Sequence, residues 1–508
     1  MPSGIPPGPS YPSLIQSIGV WKRPLGFLER NRARYGKRFT VRLPLTPPFV
    51  MVSDPGEIKQ VFTAPPDVLH PGEGARVLEP VVGTNSVILL DEAAHLEQRK
   101  LMLPAFHGER MERLSDLISE VAEREVASWP REEPIEIAPR MQRLTLEIIL
   151  RAVFGLDPGE RLDGLRERLS AMLAFGDHAI SLLPPPPAPI EWLLQRVGPF
   201  VGFLRLQEQA DALIFDLIDE RRREEDGATR GDILTLLLEA RHEGGEPMSP
   251  QELRDELMTL LVAGHETTAS TLAWTFERLV RLPETRERLR AEQSAGDGEA
   301  FLTATIQEAL RRRPVLPNSA PRLVKQPIEV GGWEYEPGVC LVPNAYLVHH
   351  DADVYPDPYA FRPERFLDEK PGTYTWIPFG GGRRRCLGAG FALLEMKLVI
   401  AAVLAAHDPR PASPGHEHAR RRNITITPEA GSRVILSPWP ATRASRNGAA
   451  SSSLSPASKK IGIRNPTEVK TTTAPAPLAS QPIQWTRRET ASTSSRPRCG
   501  WRGSLATG

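Results

Sequence analysis

Cysteine is scarce in this chain: 508 residues hold three, Cys340, Cys386 and Cys499. That excludes a disulfide framework and any all-cysteine zinc or iron–sulfur site within one chain, and it suits a reducing compartment. Long apolar runs are also lacking. No stretch is expected to reach the ~18 residues of a membrane span. The opening residues, MPSGIPPGPSYPSLIQ, lack the basic-then-apolar order of a secretion signal. A cytoplasmic protein without a membrane span is therefore expected. Net charge is missing as well, with 63 basic and 63 acidic side chains, and no nucleic-acid partner is expected. The balance hides a split. Residues 441–508 hold eight Arg, three Lys and two Glu, which gives +9, so residues 1–440 carry −9.

What is present is an ordinary globular composition, 40% apolar and 25% charged, on a chain long enough for a large core. Apolar residues recur at helical spacing over 55–62, 95–106, 109–129, 140–154, 164–182, 204–224, 232–240, 249–282 and 301–312. Pro184 to Pro187 read as a stiff linker between two helices. Strands are expected at 38–42 and 49–52. Two hairpins are expected, 328–330 with 333–336 about Gly331-Gly332, and 424–427 with 433–436 about Ala430-Gly431. The fold class is mainly α with small β-sheets, in one large domain over 1–440. The Ser-, Thr- and Pro-rich residues 441–508 form a low-complexity basic tail, expected to be disordered.

The most informative stretch is WIPFGGGRRRCLGAGFALLEMK, residues 376–397. A Gly- and Arg-rich loop delivers Cys386 to the start of an apolar helical run. A helix N-terminus and free backbone N–H groups there favour thiolate. A lone thiolate so held suits an axial ligand to haem iron. A dinucleotide loop does not fit, because Leu393 stands where a third small residue belongs. Phe379, Gly382, Arg384, Cys386 and Gly388 fit F-x-x-G-x-R-x-C-x-G. That pattern is the signature of the cytochrome P450 family, which this chain resembles over about residues 15–440.

The resemblance implies the cytochrome P450 fold and a bacterial, soluble haem-thiolate monooxygenase. Its cofactor would be haem b (iron protoporphyrin IX), with Cys386 as the iron's axial ligand. Phe379 would shield the sulfur, Gly382 would let backbone approach it, and Arg384 would bind a propionate. Glu308, Arg311 and Arg365 would form a buried network bracing the loop. Alone, Glu308 and Arg311 are only a helix-surface charge pair. Within 249–282 lies Ala263-Gly264-His265-Glu266-Thr267-Thr268, like the family's oxygen groove. Ala263 and Gly264 would leave room over the iron. Thr267 would steer protons, fed by Glu266. A zincin site fails, since Ala269 replaces the second histidine. His95 and Arg99 share a helix face and, with Arg322, would hold propionates. His349-His350-Asp351 reads as structural rather than metal-binding.

The resemblance also implies a hydrophobic substrate (fatty-acid, terpenoid or polyketide-like), in secondary metabolism. Pocket walls are expected from 76–88, the 184–187 linker with its flanking helices, 260–263 and 315–319. O2 and two electrons would come from outside, through ferredoxin and ferredoxin reductase, since residues 441–508 are too few for a redox domain. Arg383, Arg385 and Lys397 would offer a basic docking patch. Alternatives are a peroxygenase or isomerase-type haem enzyme of the same fold, or a haem-binding sensor or carrier.

Overall fold

The computed structural model describes residues 4–106, 110–175, 199–224, 230–296 and 298–439. The proline run 184–187, the end of the expected helix at 164–182 and the tail 441–508 lie outside the described residues.

The amino-terminal part carries α1 (Ser13–Lys22), α2 (Pro24–Tyr35), α3 (Pro55–Thr63), the short α4 (Pro71–Gly74) and α5 (Glu79–Val82), and α6 (Glu92–Met102). The middle is helical: α7 (Arg110–Ala127), α8 (Ile137–Phe154), α9 (Glu160–Ala174), α10 (Pro199–Arg223), α11 (Ile233–Glu239) and α12 (Pro250–Leu279). Then come α13 (Pro283–Ala295), α14 (Ala300–Arg312), α15 (Ala345–His349), α16 (Arg365–Asp368) and α17 (Ala389–Ala406). Helices α1, α2 and α13 were not expected from spacing. Pro24 and Pro283 open two of them, where a missing N–H costs nothing.

Helix α12 is the structural axis. Ser249 caps it in a reciprocal capping box with Glu252, and Pro250 fixes its first turn. Most of its length is buried. Gly264 lets it approach α8, because a Cβ there would sit 2.8 Å from Ile149 Cδ1.

Helix α17 starts at the first residue of the apolar run and corrects one expectation. By length and composition it could cross a membrane. It is a core helix instead: Phe391, Met396, Val399, Ile400 and Val403 join the main core cluster with residues of α7, α8 and α12. A helix apolar on all sides is what a large core requires.

Strands β1 (Arg38–Val41), β2 (Phe49–Val52), β3 (Leu69–His70), β5 (Arg322–Val324) and β8 (Cys340–Pro343) form one sheet, ordered β1-β2-β8-β5-β3. The β6 (Ile328–Val330) and β7 (Trp333–Tyr335) hairpin forms as expected, with Gly331 at φ +59° and Gly332 at φ +76°. The second expected hairpin does not. Asn423 turns at φ +49°, so β11 (Thr425–Pro428) folds back on β10 (Ala419–Arg422). Strand β12 (Arg433–Ser437) pairs instead with β4 (Pro134–Glu136) and β9 (Asp408–Pro411). Arginine-rich β10 has no apolar alternation, so nothing local announced it as a strand.

Candidate active site

Cys386 sits at the end of a tight loop ahead of α17. Its N–H donates to Phe379 O at 2.9 Å, and Arg385 N–H donates to Gly382 O at 3.2 Å. Gly380 and Gly382 adopt φ +67° and +64°, which only glycine adopts without strain. Gly382 is needed for a contact other than the one expected. A Cβ on it would lie 2.2 Å from Phe62 O, so its bare Cα lets the loop close on the end of α3.

The fold also reverses the expected thiol acidity. Burial pushes the Cys386 thiol up; the Gly388 N–H, Arg99 and Arg385 pull it down without prevailing. The sulfur is crowded by protein, yet the residue keeps accessible surface.

A buried ionic brace stands behind the loop. Arg311 donates to both carboxylate oxygens of Glu308, at 2.7 and 2.8 Å, and both side chains are fully buried. Arg365 Nε lies 3.2 Å from Glu308 Oε2. Glu308 Oε1 also accepts from Arg362 N–H at 2.8 Å. Arg311 Nη1 continues to His349 O at 2.7 Å and Pro358 O at 2.9 Å. His349 carries the connection onward: Nε2 accepts from Ile377 N–H at 2.9 Å, and Nδ1 lies 3.2 Å from Arg311 O. With burial holding it near pKa 3 it is neutral, which fixes the proton on Nδ1. Trp376 donates to Gln307 O at 3.1 Å and stacks edge-on to Phe379. The brace thus reaches the loop through His349 and Trp376. Sequence reasoning had given His349 a structural role without this link.

Cations and a neutral histidine converge on the other side of the loop. His95, Arg322 and Arg384 line one cleft with Asp91 and Phe62. Arg384 pairs with Asp91 Oδ1 at 2.7 Å and donates to Val87 O at 3.2 Å. Arg322 is buried, donates to Ala320 O at 3.0 Å and stacks on Phe62 at 4.6 Å. It has no carboxylate partner among the described residues, and burial with Arg384 nearby lowers it to about 9. His95 falls to about 3, from burial and then from Arg384 and Arg99. Arg99 is lowered by burial and supported by Cys386.

The oxygen-side motif divides between faces of α12. Ala263 is exposed in mid-helix while most of the surrounding helix is buried. Thr267 Oγ1 donates to Ala263 O at 2.5 Å. Gly264 does not open that space; it faces Ile149. His265 is buried against α8, 2.9 Å from Thr145 Oγ1. Glu266 turns to the β10–β11 hairpin, accepting from Thr425 Oγ1 at 2.6 Å with Arg422 Nε at 3.7 Å. Thr425, Arg422 and Asp91 had no signal in the sequence, since each meets its partner across more than 150 positions.

Cys386 is a single soft donor, and beside its loop Arg322 is a buried cation that lacks a counter-anion among the described residues. The chemistry of this set fits a haem with iron on sulfur and carboxylates on the cations.

The sequence profile of the family described as Cytochrome P450 matches residues 2–430. The chain belongs to the cytochrome P450 family. It is 38% identical to cytochrome P450 135B1 of Mycobacterium bovis over 436 residues, 85% of this chain and 91% of that one. It is 37% identical to cytochrome P450 137 of Mycobacterium tuberculosis, covering 80% and 84% of the two chains. Among solved structures, retinoic acid-bound cyanobacterial CYP120A1 aligns with a TM-score of 0.74 at 23% identity, over 86% of this chain and all of that one. The mainly helical single-domain fold agrees with this neighbour. As a P450 the chain is a haem-thiolate monooxygenase, an oxidoreductase that uses O2, redox partners and hydrophobic substrates.

The loop after α5 is held firmly by α12. Asp255 accepts from Asn85 N–H at 3.0 Å, Glu256 Oε1 from Val87 N–H at 2.7 Å, and Thr259 Oγ1 donates to Ser86 Oγ at 2.7 Å. Of the expected pocket walls, residues 83–88 are therefore pinned in place. Val315 packs with Trp274 and Ile426 in a separate cluster. Burial, with Asp255 adjacent, raises Glu256 to about 8 from the ordinary 4.5. A carboxyl raised by folding stabilises fully below its unfolded value, and that contribution is lost as pH rises through the folded value. The Glu256 contribution to stability is therefore lost between about pH 4.5 and 8. In urea unfolding across that window, Glu256→Gln should remove that component of the pH slope; an unchanged slope would assign it elsewhere.

Proposed function

We propose that Cys386 ligates haem b iron, that His95, Arg99, Arg322 and Arg384 hold its propionates, and that Glu266 and Thr267 manage protons on the oxygen side. The observation that carries this reading is the buried, uncompensated Arg322 in the cleft shared with His95 and Arg384, two residues before Cys386. A buried cation without a partner is costly, and two carboxylates would relieve it. Bound haem supplies O2 activation, placing one oxygen atom in a C–H or C=C bond and releasing the other as water. The chain supplies the setting. Phe379 and Gly388 flank the sulfur, and the Glu308–Arg311–Arg365 brace fixes the loop. Ala263 keeps the oxygen side open, and Thr267 Oγ1, now bonded to Ala263 O, is the hydroxyl placed to pass a proton.

The substrate is a fatty-acid, terpenoid or polyketide-like molecule of secondary metabolism, and the enzyme works in the cytoplasm. A ferredoxin with its reductase delivers the electrons. Arg383 and Arg385 are exposed and would receive it. Lys397 adds less than expected, because it is paired with Glu299 at 2.9 Å. The catalytic domain ends near residue 440, with 441–508 an appendage outside it.

Thr267→Ala tests the proton assignment. Product formed per electron pair should fall about tenfold or more, on the scale of a lost proton donor, while reductant consumption continues. Product and reductant staying in ratio would remove Thr267 from the role. Peroxide-driven turnover exceeding reductase-driven turnover in the unaltered enzyme would favour a peroxygenase.

A further inference from the structure

The amino-terminal helix presents an apolar face to solvent. Leu14, Ile15 and Ile18 of α1 are 67%, 53% and 56% exposed. At 100° per residue they share one arc with Lys22, while the buried Gln16 lies opposite. Gln16 fixes the neighbourhood. Its amide donates to Tyr11 O at 2.9 Å, and its carbonyl accepts from Arg42 N–H at 2.9 Å. That bond brings the β1–β2 loop beside α1, and Leu45 in that loop is 79% exposed. Six of the nine large apolar side chains exposed among the described residues fall within residues 5–45. Scattered exposed leucines need no explanation; a concentration does.

The charge around the face has one sign. Residues 1–53 contain eight Lys and Arg and a single acid, Glu29. Arg32, Lys37 and Arg38 are paired within the fold. Lys22, Arg23 and Arg42 are exposed and form no ion pair among the described residues. An outward apolar helix face ringed by unpaired cations is the arrangement of an interfacial helix on an anionic bilayer.

We propose that the α1 face with the β1–β2 loop is a peripheral docking surface for an anionic lipid membrane. Leu14, Ile15, Ile18 and Leu45 enter the interface, and Lys22, Arg23 and Arg42 meet the headgroups. The inference stands on surface composition and is independent of the haem reading.

The test is co-sedimentation of the full chain with phosphatidylcholine vesicles, with and without phosphatidylglycerol. The protein should bind the anionic vesicles, and high salt should weaken binding. Leu14→Ser/Ile15→Ser/Ile18→Ser should lower partitioning about tenfold or more, with an unchanged circular dichroism spectrum. Leu45→Ser should weaken it without touching α1. Lys22→Glu/Arg23→Glu should reduce the preference for phosphatidylglycerol. The basic residues 441–508 are common to all variants, so they cannot produce these differences. Equal binding by the triple variant, or no binding by the unaltered chain, overturns the proposal. So does a dimer in gel filtration that the triple variant dissolves, since the face would then join two copies.

Discussion

Cys386→Ala will abolish the thiolate–CO absorption band and bring monooxygenase turnover to background. The expectation rests on there being no substitute donor among the described residues. The other cysteine among the described residues, Cys340, is buried in β8, where it pairs in register with Phe49 and Leu323 inside the five-stranded sheet. The substitution leaves the loop's own bonds in place, because the contact to Phe379 O uses the backbone N–H of residue 386. The variant should therefore fold with an unchanged circular dichroism spectrum, its thermal midpoint falling only by the haem binding that is lost. A thiolate band that survives would refute the ligand assignment. The fold does not supply a ready thiolate, since burial raises the Cys386 thiol. Iron coordination supplies the deprotonation instead, as a metal does for a bound thiol.

Glu308→Ala will destabilise the fold more than any single exposed change. It strands the fully buried Arg311 and leaves Arg365 and the Arg362 N–H without their carboxylate. Breaking a buried ion pair from one side costs about 3–5 kcal/mol, because the remaining charge stays desolvated. The double change Glu308→Leu/Arg311→Met removes both charges and should cost less than the two single changes added together. Urea unfolding followed by circular dichroism measures each. A Glu308→Ala loss under about 1 kcal/mol, the scale of exposed pairs, would show the brace to be incidental. The effect should also reach the cysteine loop, because Arg311 and His349 connect the brace to Ile377.

Much was legible locally. The α17 bounds followed from its apolar run, and the β6–β7 turn from Gly331-Gly332. Errors came where identity and location separate. Gly264 and Gly382 were expected to make room at the iron and at the sulfur. Gly264 instead admits Ile149, and Gly382 admits Phe62, a contact the sequence did not announce. A sequence shows that a side chain is missing but not what fills the space. The second hairpin failed for a related reason. Ala430-Gly431 is a sound turn signal, but β12 finds its partners in β4 and β9, contributed by other parts of the chain.

The sequence by itself determined most of the long helices, the β6–β7 hairpin and the family. Those depend on periodicity, capping residues and a short motif, all local in the chain. Only the tertiary structure decided the charge states and partners around the site. It turned Glu266 to Thr425, paired Arg384 with Asp91, left Arg322 uncompensated and raised the Cys386 thiol. Those outcomes depend on burial and on contacts between distant segments, because desolvation and Coulomb energy are set by three-dimensional distance.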